Sequence, residues 1–191
     1  MSSIRKTPAV VFTGERQVAV QEISLPAMGP KDVLIEIEYS AISIGTERWC
    51  LTGQMHAPGQ PLMTPFPHLP GYQAAGTVID VGADITSVQP GDRVFSIGTT
   101  VENWPGSCWG GHAAYHLTTD DFVVKLADNV TTKAGANLLL AQVGYNGASR
   151  PWLKPDDTVV IIGDGLVGQF AGQVFRSRGA HVIMSGKRMS R

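Results

Sequence analysis

With 191 residues the chain is long enough for one large domain or two small ones. Hydrophobic residues make up 43% and charged residues 16%, the balance of a soluble globular chain, and a formal net charge of -1 gives no basic field for nucleic acid. No apolar run reaches bilayer length and the start (MSSIRKTPAV) lacks a signal-peptide core, so neither a membrane span nor secretion is expected. Two cysteines, Cys50 and Cys108, could pair once, but nothing marks a disulfide scaffold, and a reducing cytoplasm is the expected compartment.

The front of the chain reads as short strands separated by turns. Val33 to Tyr39 (VLIEIEY) alternates, which predicts Val33, Ile35, Ile37 and Tyr39 on one face and Glu36 and Glu38 on the other. Gly76 to Gly82 (GTVIDVG), Asp92 to Ile97 (DRVFSI) and Phe122 to Lys125 (FVVK) look similar. Pro and Gly cluster between them, most heavily from Pro58 to Gly71. Strands at this spacing predict a compact, mostly β, barrel-like domain over residues 1–130. Thr131 to Gly144 (TTKAGANLLLAQVG) reads as helix and opens a second domain over 131–191.

Asp157 to Met184 carries the strongest signal. A buried strand is predicted at Thr158 to Ile162, then a glycine turn with Gly163, Gly165 and Gly168, an amphipathic helix, and a second strand from His181 to Met184. This is G-x-G-x-x-G in a βαβ setting, the pattern of a dinucleotide site. Gly163 permits the tight turn, Gly165 lets backbone approach a pyrophosphate, and Gly168 lets helix pack on strand. Leu166 and Val167 open the helix, whose first N–H groups and positive dipole face the phosphates. The competing reading is a glycine-rich βα turn that binds nothing.

The end of the second strand decides which dinucleotide fits. A site for NAD usually places Asp or Glu there, about 20 residues past the glycines, to hold the ribose 2′-OH. Here the tip reads Ser185-Gly186-Lys187-Arg188-Met189-Ser190-Arg191, with no carboxylate. Ser185, Lys187 and Arg188 suit a 2′-phosphate, so NADPH is expected over NADH. The competing reading makes Lys187, Arg188 and Arg191 ordinary solvated charges. Two strands cannot complete a parallel dinucleotide fold, so the sequence is expected to be the front part of a longer protein.

Taken together, Ile42 to Glu47 (ISIGTE), His68 to Gly76 (HLPGYQAAG), Val81 to Val94 (VGADITSVQPGDRV), Lys154 to Val160 (KPDDTVV) and the glycine turn resemble the medium-chain dehydrogenase/reductase superfamily. The resemblance covers nearly the whole chain. It implies an α/β protein: a GroES-like, β-barrel-like catalytic domain followed by the beginning of a Rossmann dinucleotide-binding domain. Ser43 to Glu47 (S-x-G-T-E) is also similar to the bacteriochlorophyllide-dehydrogenase-like branch. The resemblance further implies a small-molecule substrate, no nucleic acid or membrane partner, and it allows a homodimer through the remainder of the Rossmann domain.

Departures from the family pattern bear on metal. Where the resemblance implies a zinc-binding Cys, this chain has Ile44, and where it implies a His-Glu pair, Tyr72-Gln73. The third ligand position falls near Leu140 to Gln142, without Cys or His, and the structural-zinc region, Gly98 to Gly111, offers only Cys108. None of these replacements ligates zinc well. His68, His112 and His116 remain, best read as satisfied or exposed histidines. A zinc-free member is expected. Hydride transfer without zinc still needs donors for a developing oxyanion. Candidates are Thr46, which matches the family's proton-relaying hydroxyl, and Tyr72, at a former ligand position. Glu47 is a third, either orienting a neighbour or paired with an arginine such as Arg48; His56 is a fourth. Trp49, Met55, Trp104 and Trp109 could wall an apolar pocket. Two functions stay open: a zinc-independent NADPH-dependent oxidoreductase acting on a carbonyl, alcohol or activated alkene, or a non-catalytic dinucleotide-binding protein.

Overall fold

The computed structural model describes residues 6–186. The chain divides into two compact units, Met1–Asn137 and Leu138–Arg191.

The first unit is built from two antiparallel-rich sheets. β1 (Lys6–Gly14) pairs with β2 (Gln17–Ser24) as a hairpin, and the four-stranded sheet runs β2-β1-β4-β7, with β4 at His68–Leu69 and β7 at Ser107–Cys108. β1 alternates cleanly: Thr7, Ala9 and Val11 are buried and pack with Ile23, Leu69 and Ala113. β2 is an edge strand, with Val18 and Val20 exposed and a Lys6–Glu22 ion pair at 2.8 Å across to β1. The five-stranded sheet runs β8-β3-β5-β6-β9. Its members are β3 (Asp32–Ser40), β5 (Ala74–Val81), β6 (Arg93–Ser96), β8 (Tyr115–Thr119) and β9 (Val123–Lys125). Val33, Ile35, Val78, Val88 and Val94 form its core. A short helix, α1 (Ile44–Leu51), leaves the end of β3, and α2 (Thr132–Gly135) is capped by the Thr131 hydroxyl, which accepts from the Ala134 N–H.

Several sequence expectations need correction. Tyr39 does not share the buried face of Val33 and Ile35; it is 46% exposed. Alternation holds through Ile37, which packs on the core between exposed Glu36 and Glu38, and breaks at the bulge where Glu38 is the extra residue between Ile37↔Gly76 and Tyr39↔Ala75. Phe122 belongs to a 3-10 turn (Asp120–Phe122) ahead of β9 rather than to the strand. The single helix expected over 131–144 is two: α2 stops at Gly135 and α3 runs Leu138–Ser149.

The second unit holds α3, β10 (Thr158–Ile162), α4 (Leu166–Ser177) and β11 (His181–Ser185). β10 and β11 are parallel, in register from Thr158↔His181 to Ile162↔Ser185. Val159, Ile161 and Val182 turn toward Phe175 and Ala171 of α4. α3 lies against α4 so closely that a Cβ on Gly144 would stand 2.7 Å from Phe170 Cβ. β10, expected as a buried strand, is half-buried on one face only: Val159 and Ile161 turn toward α4, and Val160 and Ile162 are 59% and 91% exposed on the other side. No helix among the described residues is long and apolar enough to cross a membrane.

One core residue ties this fold to pH. His116 on β8 is fully buried, with Nδ1 3.0 Å from Ser96 Oγ. Burial pulls its ring from the usual 6.5 down to about 3. The unfolded chain therefore takes up a proton near pH 6.5 that the folded chain refuses until about pH 3. Above that window His116 adds no pH dependence; within it, falling pH favours unfolding by up to about 1.4 kcal/mol per pH unit. Buried His68 is pulled down in the same direction. Urea unfolding measured between about pH 6.5 and pH 4 should show a clear loss of stability, and His116→Gln should make that slope shallower. An unchanged slope in the variant would contradict this account.

Candidate active site and dinucleotide turn

A cavity of about 660 Å³ opens in the first unit, lined by Thr46, Met55, Tyr72, Cys108, Trp109 and Phe122 among others. Each wall residue comes from a different segment. Thr46 is on α1, Met55 on the irregular stretch after it, Tyr72 between β4 and β5, and Cys108 and Trp109 at the end of β7. The back wall is a chain of edge-on rings. Tyr72 meets Trp109 at 5.4 Å and 74°, Trp109 meets His68 at 4.8 Å and 88°, and His68 meets Phe12 at 6.0 Å and 60°. Such edge-to-face pairs fix ring orientation as well as burying area. His68 is held from its other side by Ser107, whose Oγ lies 2.7 Å from Nδ1.

Into this mostly apolar space the structure brings Thr46 and Tyr72 together. Both are half-buried, and neither hydroxyl has a hydrogen-bond partner among the described residues. They are donors without a customer inside the protein, the arrangement expected of groups that meet a ligand oxygen. Cys108 is exposed with its Sγ 3.7 Å from Thr99 O, and local desolvation pushes the thiol up to about 11, which disfavours the thiolate.

Glu47 does not join Thr46 and Tyr72 in this cavity. It is 4% exposed and pairs with His112 rather than Arg48: Oε2 stands 2.8 Å from His112 Nε2. It lines a second cavity of about 500 Å³ with Ile42, Ile44, Leu51 and His112. His56 is exposed, its Nδ1 2.9 Å from Ala57 O. Of the expected wall residues, Met55 and Trp109 are in place. Trp49 is 58% exposed and absent from the lining, and Trp104 packs on the Ala9–Val11 core with its Nε1 donating to Pro67 O. His112 and His116 share no partner: the first meets Ser40 and Glu47, the second Ser96. Cys50 and Cys108 are both free.

The positions where the family resemblance implies zinc ligands do not fit a metal. Ile44 is apolar and 70% exposed, and the Tyr72 ring meets Trp109 edge-on. Gln73 is fully buried with its amide nitrogen on Ala41 O at 3.3 Å. No group of three metal-binding side chains gathers among the described residues.

The glycine turn of the second unit is built as the motif requires. Gly163 has φ of 117°, open to glycine and strained for other residues. A Cβ on Gly168 would stand 2.2 Å from Gly163 O, so the helix can approach only as glycine. A Cβ on Gly165 would meet nothing within 4 Å, which leaves free space above the turn for a phosphate pair. Leu166 and Val167 follow at the exposed start of α4. The Gly163 N–H donates to Ser185 O at 2.8 Å, so the turn sits beside the tip of β11. Ser185 ends that strand; Lys187 and Arg188 lie outside the described residues. The structure adds one residue that sequence reading passed over. A Cβ on Gly186 would fall 2.5 Å from Asp164 Oδ2, so the strand tip does have a carboxylate beside it, supplied by the turn.

A GroES-like β unit with an apolar cleft, followed by a βαβ glycine turn, defines the class of two-part dinucleotide-dependent dehydrogenases. Residues 29–128 match the alcohol dehydrogenase GroES-like domain, and the chain belongs to that family, within the medium-chain dehydrogenase/reductase superfamily. It is 34% identical over 174 residues to 2-desacetyl-2-hydroxyethyl bacteriochlorophyllide A dehydrogenase of Cereibacter sphaeroides, covering 88% of this chain and 52% of that protein. Among solved structures, an alcohol dehydrogenase superfamily protein from Novosphingobium aromaticivorans is 26% identical, with TM-score 0.76 over 95% of this chain and 54% of that one. A zinc-binding dehydrogenase fold from Sinorhizobium meliloti 1021, solved bound to NADP, aligns with TM-score 0.80 at 22% identity, covering 97% of this chain and 57% of that one. The chain thus spans about half the length of the relatives it matches.

Open space at Gly165 sets up a clean substitution. Gly165→Val should abolish dinucleotide binding while circular dichroism and urea unfolding of the β unit stay unchanged, because the side chain would occupy the phosphate space without meeting protein. A folded variant that titrates NADPH like the parent would remove the site from this turn.

Proposed function

We propose that this chain carries the substrate cleft and the first part of the cofactor site of a zinc-independent, NADPH-dependent oxidoreductase. Its reaction moves a hydride to or from a carbonyl/alcohol pair or an activated alkene. The observation that carries the reading is the pair of unpartnered hydroxyls, Thr46 and Tyr72, in a mostly apolar cavity whose wall also carries Thr99, Thr100, Thr118 and Thr119. In such a low-dielectric space two aimed donors stabilise a developing oxyanion far better than water-exposed ones. The nicotinamide, when bound, supplies the hydride chemistry. This chain's own residues do the rest: Thr46 and Tyr72 orient the substrate oxygen, and Met55, Trp109 and Phe122 exclude water from it. Zinc independence is supported by Ile44, Tyr72 and Gln73 at the implied ligand positions. A small-molecule substrate and a cytoplasmic location accompany this reading.

NADPH is preferred on the ground of Ser185 at the end of β11 with Lys187 and Arg188 directly after it. A second reading, NADH, is favoured by Asp164, whose carboxylate beside Gly186 would accept from a ribose hydroxyl and repel a 2′-phosphate. Paired titrations separate the two. If the cations grip the phosphate, NADPH binds more tightly than NADH. Arg188→Ala then loses NADPH affinity by about tenfold or more, as a charge-assisted contact worth about 1.5–3 kcal/mol requires, with little effect on NADH. Ser185→Asp shifts preference toward NADH. If Asp164 decides instead, Asp164→Asn is the variant that gains NADPH affinity, and Arg188→Ala changes both cofactors alike.

NADPH consumption against quinones, enals and ketones tests the reaction class. Binding of NADPH without turnover of any of them would favour the non-catalytic dinucleotide-binding protein. Elemental analysis of purified protein should find well under one zinc per chain, and stoichiometric zinc surviving a weak chelator would overturn the zinc-free reading.

A further inference from the structure

We infer that His112 and Glu47 are positioning residues, an imidazole–carboxylate pair that holds Thr46 and Tyr72 in the cleft without touching substrate. The inference rests on the reading of that cleft as the reaction site. Its starting point is α1, the eight-residue helix that carries Thr46. The buried side chains of α1 are Glu47 and Cys50, so no apolar stripe anchors it. What anchors it is a carboxylate. Glu47 Oε1 accepts the Ser43 N–H at 2.7 Å, closing the helix start on itself, and Oε2 takes the His112 contact at 2.8 Å.

His112 in turn gathers three segments. Its side chain is 8% exposed. Its Nε2 faces Glu47 Oε2, and Nδ1 faces Ser40 Oγ at 2.8 Å, at the end of β3. The ring also covers Gly71, one residue before Tyr72: a Cβ there would fall 2.7 Å from His112 Cδ2. Gly71 has φ of 82°, and its carbonyl accepts the Gly111 N–H at 2.9 Å. One imidazole thus touches the helix of Thr46, the strand that leads into it, and the turn that sets Tyr72. An apolar pair would bury the same surface without the desolvation cost of a carboxylate, but it would fix neither distance nor direction. Hydrogen bonds at both ring nitrogens do fix them, and cleft hydroxyls need placement to a fraction of an ångström.

The test uses the full-length protein and three variants. His112→Phe keeps the ring volume and removes both hydrogen bonds; His112→Gln restores a donor toward Glu47. The first readout is the near-ultraviolet circular dichroism of the edge-on Tyr72–Trp109 pair, which reports the cleft whether or not the protein turns over. His112→Phe should lose much of that band while the far-ultraviolet spectrum is unchanged, and His112→Gln should keep most of it. The second readout is NADPH-dependent reduction of 9,10-phenanthrenequinone. His112→Phe should lower kcat on the order of tenfold or more with the KM for NADPH nearly unchanged, and His112→Gln should recover most of the loss. A folded His112→Phe with the parental band and parental kcat overturns the inference. If the parent reduces no carbonyl probe, the proposed function fails, and the band alone decides the positioning role. Should His112→Phe not fold, Glu47→Gln retains the imidazole and one acceptor: a weakened band supports the role, and a parental band removes it.

Discussion

Strand β3 is hydrogen-bonded along both edges, to β5 on one side and β8 on the other, and the approach of β5 is the constraint on which the first unit turns. At Gly76 a Cβ would stand 1.9 Å from Glu36 O, so only glycine lets the two backbones lie that near. The pairing ends at Ser40↔Ala74. From one side of that last rung the chain leaves through Ala41 to Ser43 into α1 and Thr46; into the other side it arrives through Tyr72 and Gln73. Ala41 and Gln73 are tied again by the Ala41 N–H to Gln73 O at 3.1 Å and the Gln73 amide to Ala41 O. The two hydroxyls of the cleft are therefore launched from opposite sides of a single rung, although Thr46 and Tyr72 stand 26 positions apart in the sequence.

This geometry accounts for what a polar residue can do in the cleft. Tyr72 is braced by Trp109, which is braced by His68 and, through it, by Phe12 of β1. The rings form a stiff back wall running from the four-stranded sheet to the cavity surface. A hydroxyl at the end of such a wall loses little freedom on binding, so the entropy cost of aiming it has already been met in folding.

Strong local signals in the sequence led directly to their structures. The glycine turn, the strands at Thr158–Ile162 and His181–Ser185, and the helix between them follow from backbone rules that act over a few residues. Thr46 and Tyr72 were singled out through the family resemblance, and the fold puts both on the wall of one cavity. Other features depend on long-range geometry. The Glu47–His112 contact spans 65 residues, and nothing near either residue in one sequence announces it; Arg48 was the obvious neighbour, and α1 points it elsewhere. Tyr39 escaped its predicted face because Glu38 is an extra residue of β3 between the rungs Ile37↔Gly76 and Tyr39↔Ala75, a bulge that alternation alone does not announce. Asp164 was hidden by its place inside the turn, since only the fold brings it to Gly186, more than a helix away along the chain. The apolar run of β10 spelled a buried strand, but composition cannot say which of its sides is covered.

That last point has a material consequence. Val160, Ile162 and Ile183 form an apolar row on the side of the β10–β11 pair that α4 does not cover. Parallel strands of this kind are ordinarily dry on both sides. A row of this kind is the surface on which neighbouring strands and a second helical layer of a parallel sheet pack. Branched side chains at Val160, Ile162 and Ile183 suit such contact rather than water.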